Sequence, residues 1–268
     1  MLRDITLGQY YQTESVIHRL DPRTKITATF FYIISLFLFN RVSVYALAFL
    51  FLGSVIALSR VPLSFIFRGM KSIVFLLLVT VVFNLFLTPG YPLISFWRFT
   101  ITDQGLIIAS FTATRLIFLI VGSSLLTLTT TPNNLTDGLE RLLNPLKTFR
   151  VPVHEVAMMM SIALRFIPIL LDETDKIMKA QLSRGADFEH GNLIKRAKNL
   201  IPILVPLFVS AFRRANDLAL AMEARCYRGG DGRTKMKPLR YQSRDRIAYG
   251  ILVLYIAGII LAGRFSPI

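Results

Sequence analysis

Residues 105–128 run for 24 positions with Arg115 as the only charged side chain. A stretch of that length crosses the ~30 Å hydrocarbon core of a bilayer as a helix. Lipid offers the backbone no hydrogen-bond partners, so a chain inside it must bond to itself. Four more apolar runs, 26–39, 44–58, 72–88 and 247–263, share this constraint. The first two are shorter than the ~20 residues of an ordinary span. They read as a hairpin of two short spans extended by flanking residues, with a re-entrant pair as the alternative. The chain is 53% hydrophobic with a mean hydropathy of +0.55, too apolar for an ordinary soluble domain. The expected fold is an all-α polytopic membrane protein of about five spans plus a polar arm.

Three regions follow: an N-terminal membrane region with four spans (1–128), an arm (129–246), and a last span with its tail (247–268). The first begins with a polar lead-in, in which Asp21-Pro22 marks a helix start. The carboxylate can cap free N–H groups, and proline at the first helical position loses no hydrogen bond. No cleavable signal peptide is expected from so polar a start. Trp97, in 93–99, reads as an interfacial anchor.

The net charge is +15, from 31 Lys+Arg against 16 Asp+Glu. Arg3, Arg19, Arg23, Lys25, Arg60, Arg68 and Lys71 lie on the side of the lead-in and the second loop. Arg41, Arg98 and Arg264 lie on the other. Seven against three places the N-terminus and the arm in the cytoplasm, of a bacterial-type cell membrane. Nucleic-acid binding would need aromatics interleaved with the basic residues, but here the aromatics sit in the apolar runs. A single cysteine, Cys226, precludes internal disulfides.

The arm carries the chemistry. Three helices are expected, at about 133–149, 155–185 and 193–227. Leu135, Leu139, Leu142, Leu143 and Leu146 line one side of the first, which Asn144-Pro145 kinks or ends. The second places Val156, Met160, Ala163, Ile167 and Leu170 at helical spacing; the third repeats the pattern with Ile201, Leu204, Phe208, Phe212 and Ala215. Both are too charged for lipid throughout and too apolar on one face for water, so they must pack on each other, on the membrane or on a partner. Pro168, Pro202 and Pro206 predict kinks or breaks, and the last two could split the third helix. Met158-Met159-Met160 reads equally as core filling or as an adaptable binding surface.

Each of the two long helices ends on a small residue, an arginine and another small residue: Ser183-Arg184-Gly185 and Ala224-Arg225-Cys226. A cation in the last turn complements the helix dipole, and Gly185 suits a left-handed cap. One such end is an ordinary terminus. Two matched ends point further. Small neighbours leave each guanidinium prominent, able to grip a carboxylate with two hydrogen bonds, as plugs into similar acidic sites on partner subunits.

No phosphate-binding glycine loop, no metal-ligand spacing around His18, His154 or His190, and no nucleophile–base pair is visible. No catalytic residue, metal or cofactor is therefore expected, and a lipid-modifying enzyme has no acid–base constellation behind it. Arg115 reads as a snorkelling or helix-bridging residue. The alternative, a free-standing carrier or channel, puts it on the substrate path.

Together, Leu20-Asp21-Pro22-Arg23-Thr24-Lys25, the arm end at 180–185 and the arm end at 221–227 resemble the transmembrane subunit (T-component) of energy-coupling factor transporters. The resemblance covers most of the chain. Ser183 stands where that family has alanine, and Cys226 where it has glycine, which leaves the second cap's geometry open. The resemblance implies a non-catalytic coupling subunit of an ABC-type importer. Arg184 and Arg225, framed by Ser183, Gly185, Ala224 and Cys226, would insert into grooves on two cytoplasmic ATPase subunits. A membrane-embedded S-component, which captures a vitamin or a transition-metal ion, would lie on apolar faces of the arm and of the 135–149 helix.

Overall fold

A computed structural model describes residues 10–71, 73–96, 99–188, 192–230, 236 and 238–265. It is all-α apart from one short hairpin. The helices are α1 (Pro22–Leu38), α2 (Val42–Ser59), α3 (Leu63–Lys71), α4 (Val74–Leu87), α5 (Asp103–Thr129), α6 (Pro132–Leu143), α7 (Val153–Ser183), α8 (Leu193–Ala224) and α9 (Ser243–Phe265). Strands β1 (Pro92–Phe96) and β2 (Phe99–Thr102) pair antiparallel between α4 and α5. The stretch expected as an interfacial segment is thus mostly a β-hairpin, and Trp97 lies outside the described residues. So does His190.

Two compact units emerge. One joins Gly8–Leu142 to Leu239–Ile268; the other holds Leu143–Pro238 together with Met1–Leu7, the latter outside the described residues. Four helices have the length and apolarity to cross a membrane: α2, α5, α7 and α9. The bent pair α3 and α4 makes a fifth if counted as one span. The helix α1 has 17 residues, just short of a typical span, as its short apolar run foretold. The helix α7 satisfies the span criterion although its pattern also suits the arm.

The core of the first unit lies where α1, α2, α5 and α9 meet: Leu36, Val44, Leu128 and Ile259 are almost wholly buried. Gly122 allows α5 to approach α1, since a Cβ there would stand 2.5 Å from Tyr32 Cε1. Tyr255 Oη and Ser35 Oγ, 2.8 Å apart, satisfy each other inside this core, as buried hydroxyls must.

The turn before α1 ties these helices together. Asp21 caps α1, accepting from Arg23 N at 2.9 Å, with proline in the first turn. Its own N–H donates to Asp245 Oδ1 at 2.8 Å. The Asp245 carboxylate, almost fully buried, also accepts from Gln242 N at 2.8 Å and Thr24 Oγ1 at 3.4 Å. Lys25 Nζ donates to Thr129 O at 2.8 Å, closing the end of α5. Gly138 of α6 sits on Pro22 and Ile26, each 3.0 Å from where a Cβ would be. Burial raises the Asp21 carboxyl, but the hydrogen bonds and charge of Arg23, with the charge of Lys25, outweigh it and hold the group below the usual carboxylate range.

Candidate functional site

In the second unit α7 and α8 lie antiparallel. Gln181 Nε2 donates to Pro202 O at 3.5 Å near one end. Arg214 pairs with Glu173 at 3.0 Å nearer the middle, and Ile162 and Phe166 share a recess with Leu218 and Met222 toward the other end. The C-terminus of α7 therefore lies beside the start of α8, and that of α8 beside the start of α7. In keeping, Gly230 rests against His154, where a Cβ would come within 2.3 Å of the ring. Twenty residues at ~1.5 Å each separate Pro202 from Met222, so Arg184 and Arg225 stand on the order of 30 Å apart.

Pro202 and Pro206 do not split α8, and Pro168 does not split α7; both helices run without a break. Each proline removes one N–H from the ladder, and long flanking turns carry the helix across the gap. The expected first arm helix does end at its proline: α6 stops at Leu143, and a 3-10 helix, Asn144–Phe149, follows.

The two ends have the same geometry. Arg184 (φ −90°, ψ 5°) and Arg225 (φ −94°, ψ 11°) are the C-cap residues. Gly185 follows at φ 85° and Cys226 at φ 56°. Gly185 N donates to Leu182 O at 3.0 Å and Ala186 N to Gln181 O at 3.0 Å. Cys226 N donates to Glu223 O at 2.8 Å and Tyr227 N to Met222 O at 3.0 Å. Both are complete Schellman caps. Cysteine at the glycine position therefore leaves the cap intact, at the cost of a left-handed side-chain residue, roughly 1 kcal/mol. Cys226→Gly is expected to relieve that strain and raise stability by about 0.5 kcal/mol net of glycine's extra unfolded freedom. Gly185→Cys is expected to lower it similarly. Hydrogen exchange at the last turns of α7 and α8 reads both; slower exchange after Gly185→Cys would contradict the cap argument.

Arg184, Arg225, Ser183, Gly185, Ala224 and Cys226 are all exposed. Neither arginine makes an ion pair or side-chain hydrogen bond among the described residues. Two cations are thus presented to solvent on rigid caps, with small neighbours on either side.

Between the tips, α8 exposes a stripe of large apolar side chains: Leu204 (53%), Val205 (56%), Phe208 (65%) and Phe212 (64%). Leu170 and Thr174 of α7 face Leu204, Phe208 and Phe212 across a groove of about 500 Å³. Met159 and Met160 of α7 are also exposed, so the methionine run contributes surface. Arg115 is placed differently. Its Nε donates to Tyr45 Oη at 3.0 Å, Nη2 bonds Asn40 Oδ1, and the guanidinium lies 5.2 Å from the Phe37 ring centre. It bridges α5 to α1, α2 and their connecting turn.

Sequence reasoning passed over Asp245. A lone acid between two arginines at the head of an apolar run was the available signal.

The profile of the cobalt transport protein family (CbiQ) matches residues 13–236. The "Energy-coupling factor transporter transmembrane protein EcfT" of Clostridium kluyveri is 57% identical, over 92% of this chain and 93% of that relative. Proteins of the same name from Ruminiclostridium cellulolyticum and Bacillus subtilis are 53% and 48% identical, over 97% and 96% of the chain and 98% and 97% of their own lengths.

Proposed function

The chain belongs to the CbiQ family of cobalt transport proteins and, within it, to the energy-coupling factor transporter transmembrane proteins, and from that premise we propose that it is the non-catalytic coupling subunit of an ATP-driven importer. As a family member it is a multi-pass cell-membrane protein of a transport system. Its finer role is as follows. Arg184 and Arg225 enter acidic grooves on two cytoplasmic ATPase subunits. The α7–α8 pair carries their motion to a membrane-embedded S-component that holds a vitamin or metal ion. The N-terminus and the arm face the cytoplasm, where the ATPases are.

The observation that carries this reading is the pair of identical caps, each presenting an exposed arginine among small residues. An isolated exposed cation on one cap would need no partner. Two with the same backbone geometry, at opposite ends of one helix pair, fit two like receptors. The exposed stripe on α8 supports the second half: a continuous apolar face of this kind is a cover site for another apolar surface.

Copurification tests the assignment. Tagged wild-type chain is expected to bring down Walker-motif ATPases and a small apolar membrane protein. Phe208→Asp with Phe212→Asp is expected to lose the small protein by at least roughly tenfold, as removal of aromatic anchors does elsewhere, while the ATPases stay. Retention of both partners at wild-type levels would exclude the stripe as the docking face. A free-standing carrier is disfavoured by the placement of Arg115, whose Nε and Nη2 donate to Tyr45 and Asn40 and tie α5 to its neighbours.

A further inference from the structure

Two recesses of the first unit meet at Leu58, which lines both. The inner one is a cavity of about 170 Å³ among α1, α2, α5 and α9. Its wall is mostly apolar, with Ala28, Phe51, Val55, Leu125 and Ile251 in it, and Lys25 and Thr129 at one end. It extends along α1 from Thr24 to Tyr32, eight residues or about 12 Å. Apolar voids of ~150 Å³ stay dry and accept benzene, so this one takes hydrocarbon rather than water. Leu58 and Ile251 at its mouth are 50% and 54% exposed, which opens it to the lipid-facing surface.

The outer recess, about 610 Å³, lies where α2 ends and α9 begins. Arg19, Arg60 and Arg244 line it, with Glu14 as the only carboxylate among the described lining residues. Glu14 is already bonded to Arg19. Among the described residues Arg244 bonds only the neutral Gln242 side chain. Arg60 makes no side-chain hydrogen bond or ion pair among the described residues, and the chain holds it at φ 55°, a sparsely populated conformation for a residue with a side chain. Among the described residues the recess thus has two guanidiniums paired with no carboxylate, beside an apolar slot, at the basic ends of the membrane helices.

We propose that these recesses form one site for an anionic phospholipid, with part of an acyl chain in the α1–α2–α5–α9 cavity and the phosphate on Arg60 and Arg244, flanked by Arg19. Basic pockets between membrane helices on the cytoplasmic side suit acidic headgroups. The continuous apolar slot selects a lipid over a free anion. The arginines select an acidic headgroup over a zwitterionic one, whose ammonium they would repel.

The test uses the full chain purified with its partner subunits in mild detergent. Native mass spectrometry follows binding of phosphatidylglycerol, phosphatidylcholine and, as a chain-free headgroup, glycerol 3-phosphate. Phosphatidylglycerol is expected to bind about one per chain and about tenfold more tightly than phosphatidylcholine, with glycerol 3-phosphate weaker than either comparison can detect as a competitor. Arg60→Gln with Arg244→Gln is expected to weaken phosphatidylglycerol about 25-fold, roughly fivefold per arginine. Ser54→Phe, at the exposed rim of the slot, is expected to weaken it with all three arginines present. Arg213→Gln, a cation of α8, is expected to change nothing. Size-exclusion elution at the wild-type position qualifies each variant, and Ala28→Phe replaces Ser54→Phe if that one does not assemble. Equal binding of the two lipids, wild-type binding by the arginine or slot variants, or competition by glycerol 3-phosphate would each overturn the proposal.

Discussion

Arg184→Ala and Arg225→Ala are each expected to uncouple ATP hydrolysis from uptake, and the double substitution to reduce uptake in proteoliposomes to background. Both side chains are exposed and without an ion pair or side-chain hydrogen bond among the described residues, so their loss should scarcely affect folding. Exposed substitutions of this kind stay within about 0.5 kcal/mol, with up to about 1 kcal/mol more from the helix dipole. In an assembled complex the balance reverses. Truncating one member of a buried, hydrogen-bonded charge pair costs about 2–5 kcal/mol. A value near 3 kcal/mol is roughly a hundredfold in affinity for an ATPase. Arg→Lys at either position should recover only part of this, since an ammonium keeps the charge and loses the two-pronged grip. Binding of purified ATPase to the chain in nanodiscs, measured beside uptake, separates a weakened contact from a misfolded arm. Single variants that bind and transport like wild type would end the plug hypothesis.

The second large effect is structural. Asp245→Ala is expected to destabilise the first unit by about 3 kcal/mol, because the N–H groups of Asp21 and Gln242 lose a charged acceptor where water does not reach. For a domain of this size that is a drop of roughly 10 °C in the unfolding midpoint, read by a thermal shift in detergent. Asp245→Asn retains a carbonyl acceptor and should lose less. A midpoint within about 2 °C of wild type for Asp245→Ala would show that the carboxylate does not hold α9 to the start of α1.

Much of this was legible in the residue order. Periodicity located the arm helices, because a helix that buries one face must repeat every three or four residues. The Asp21-Pro22 cap formed as its chemistry requires. Arg115 proved to bridge helices, one of its two structural readings. What was not legible has common causes. Pro202 and Pro206 were read as kinks or breaks that could split the helix, because the local rule does not include the long helical turns on either side that carry the chain through. The hairpin at 92–102 was hidden because a short apolar run shows no period that separates strand from helix. Asp245 was passed over because two of its partners, Asp21 and Thr24, lie more than two hundred residues away, and a long-range hydrogen bond leaves no trace in local pattern. Cys226 at a glycine position left the cap's geometry open, and the cap forms because one strained residue costs less than losing two cap hydrogen bonds.

A single polypeptide has no internal symmetry, but two antiparallel helices with superposable endings have an approximate dyad across their common axis. A receptor built as a two-fold dimer, whether of identical chains or of a duplicated pair, can be met by one copy of such a protein. Under the proposed function, the matched caps lead to an expected stoichiometry of one membrane chain to two ATPase subunits.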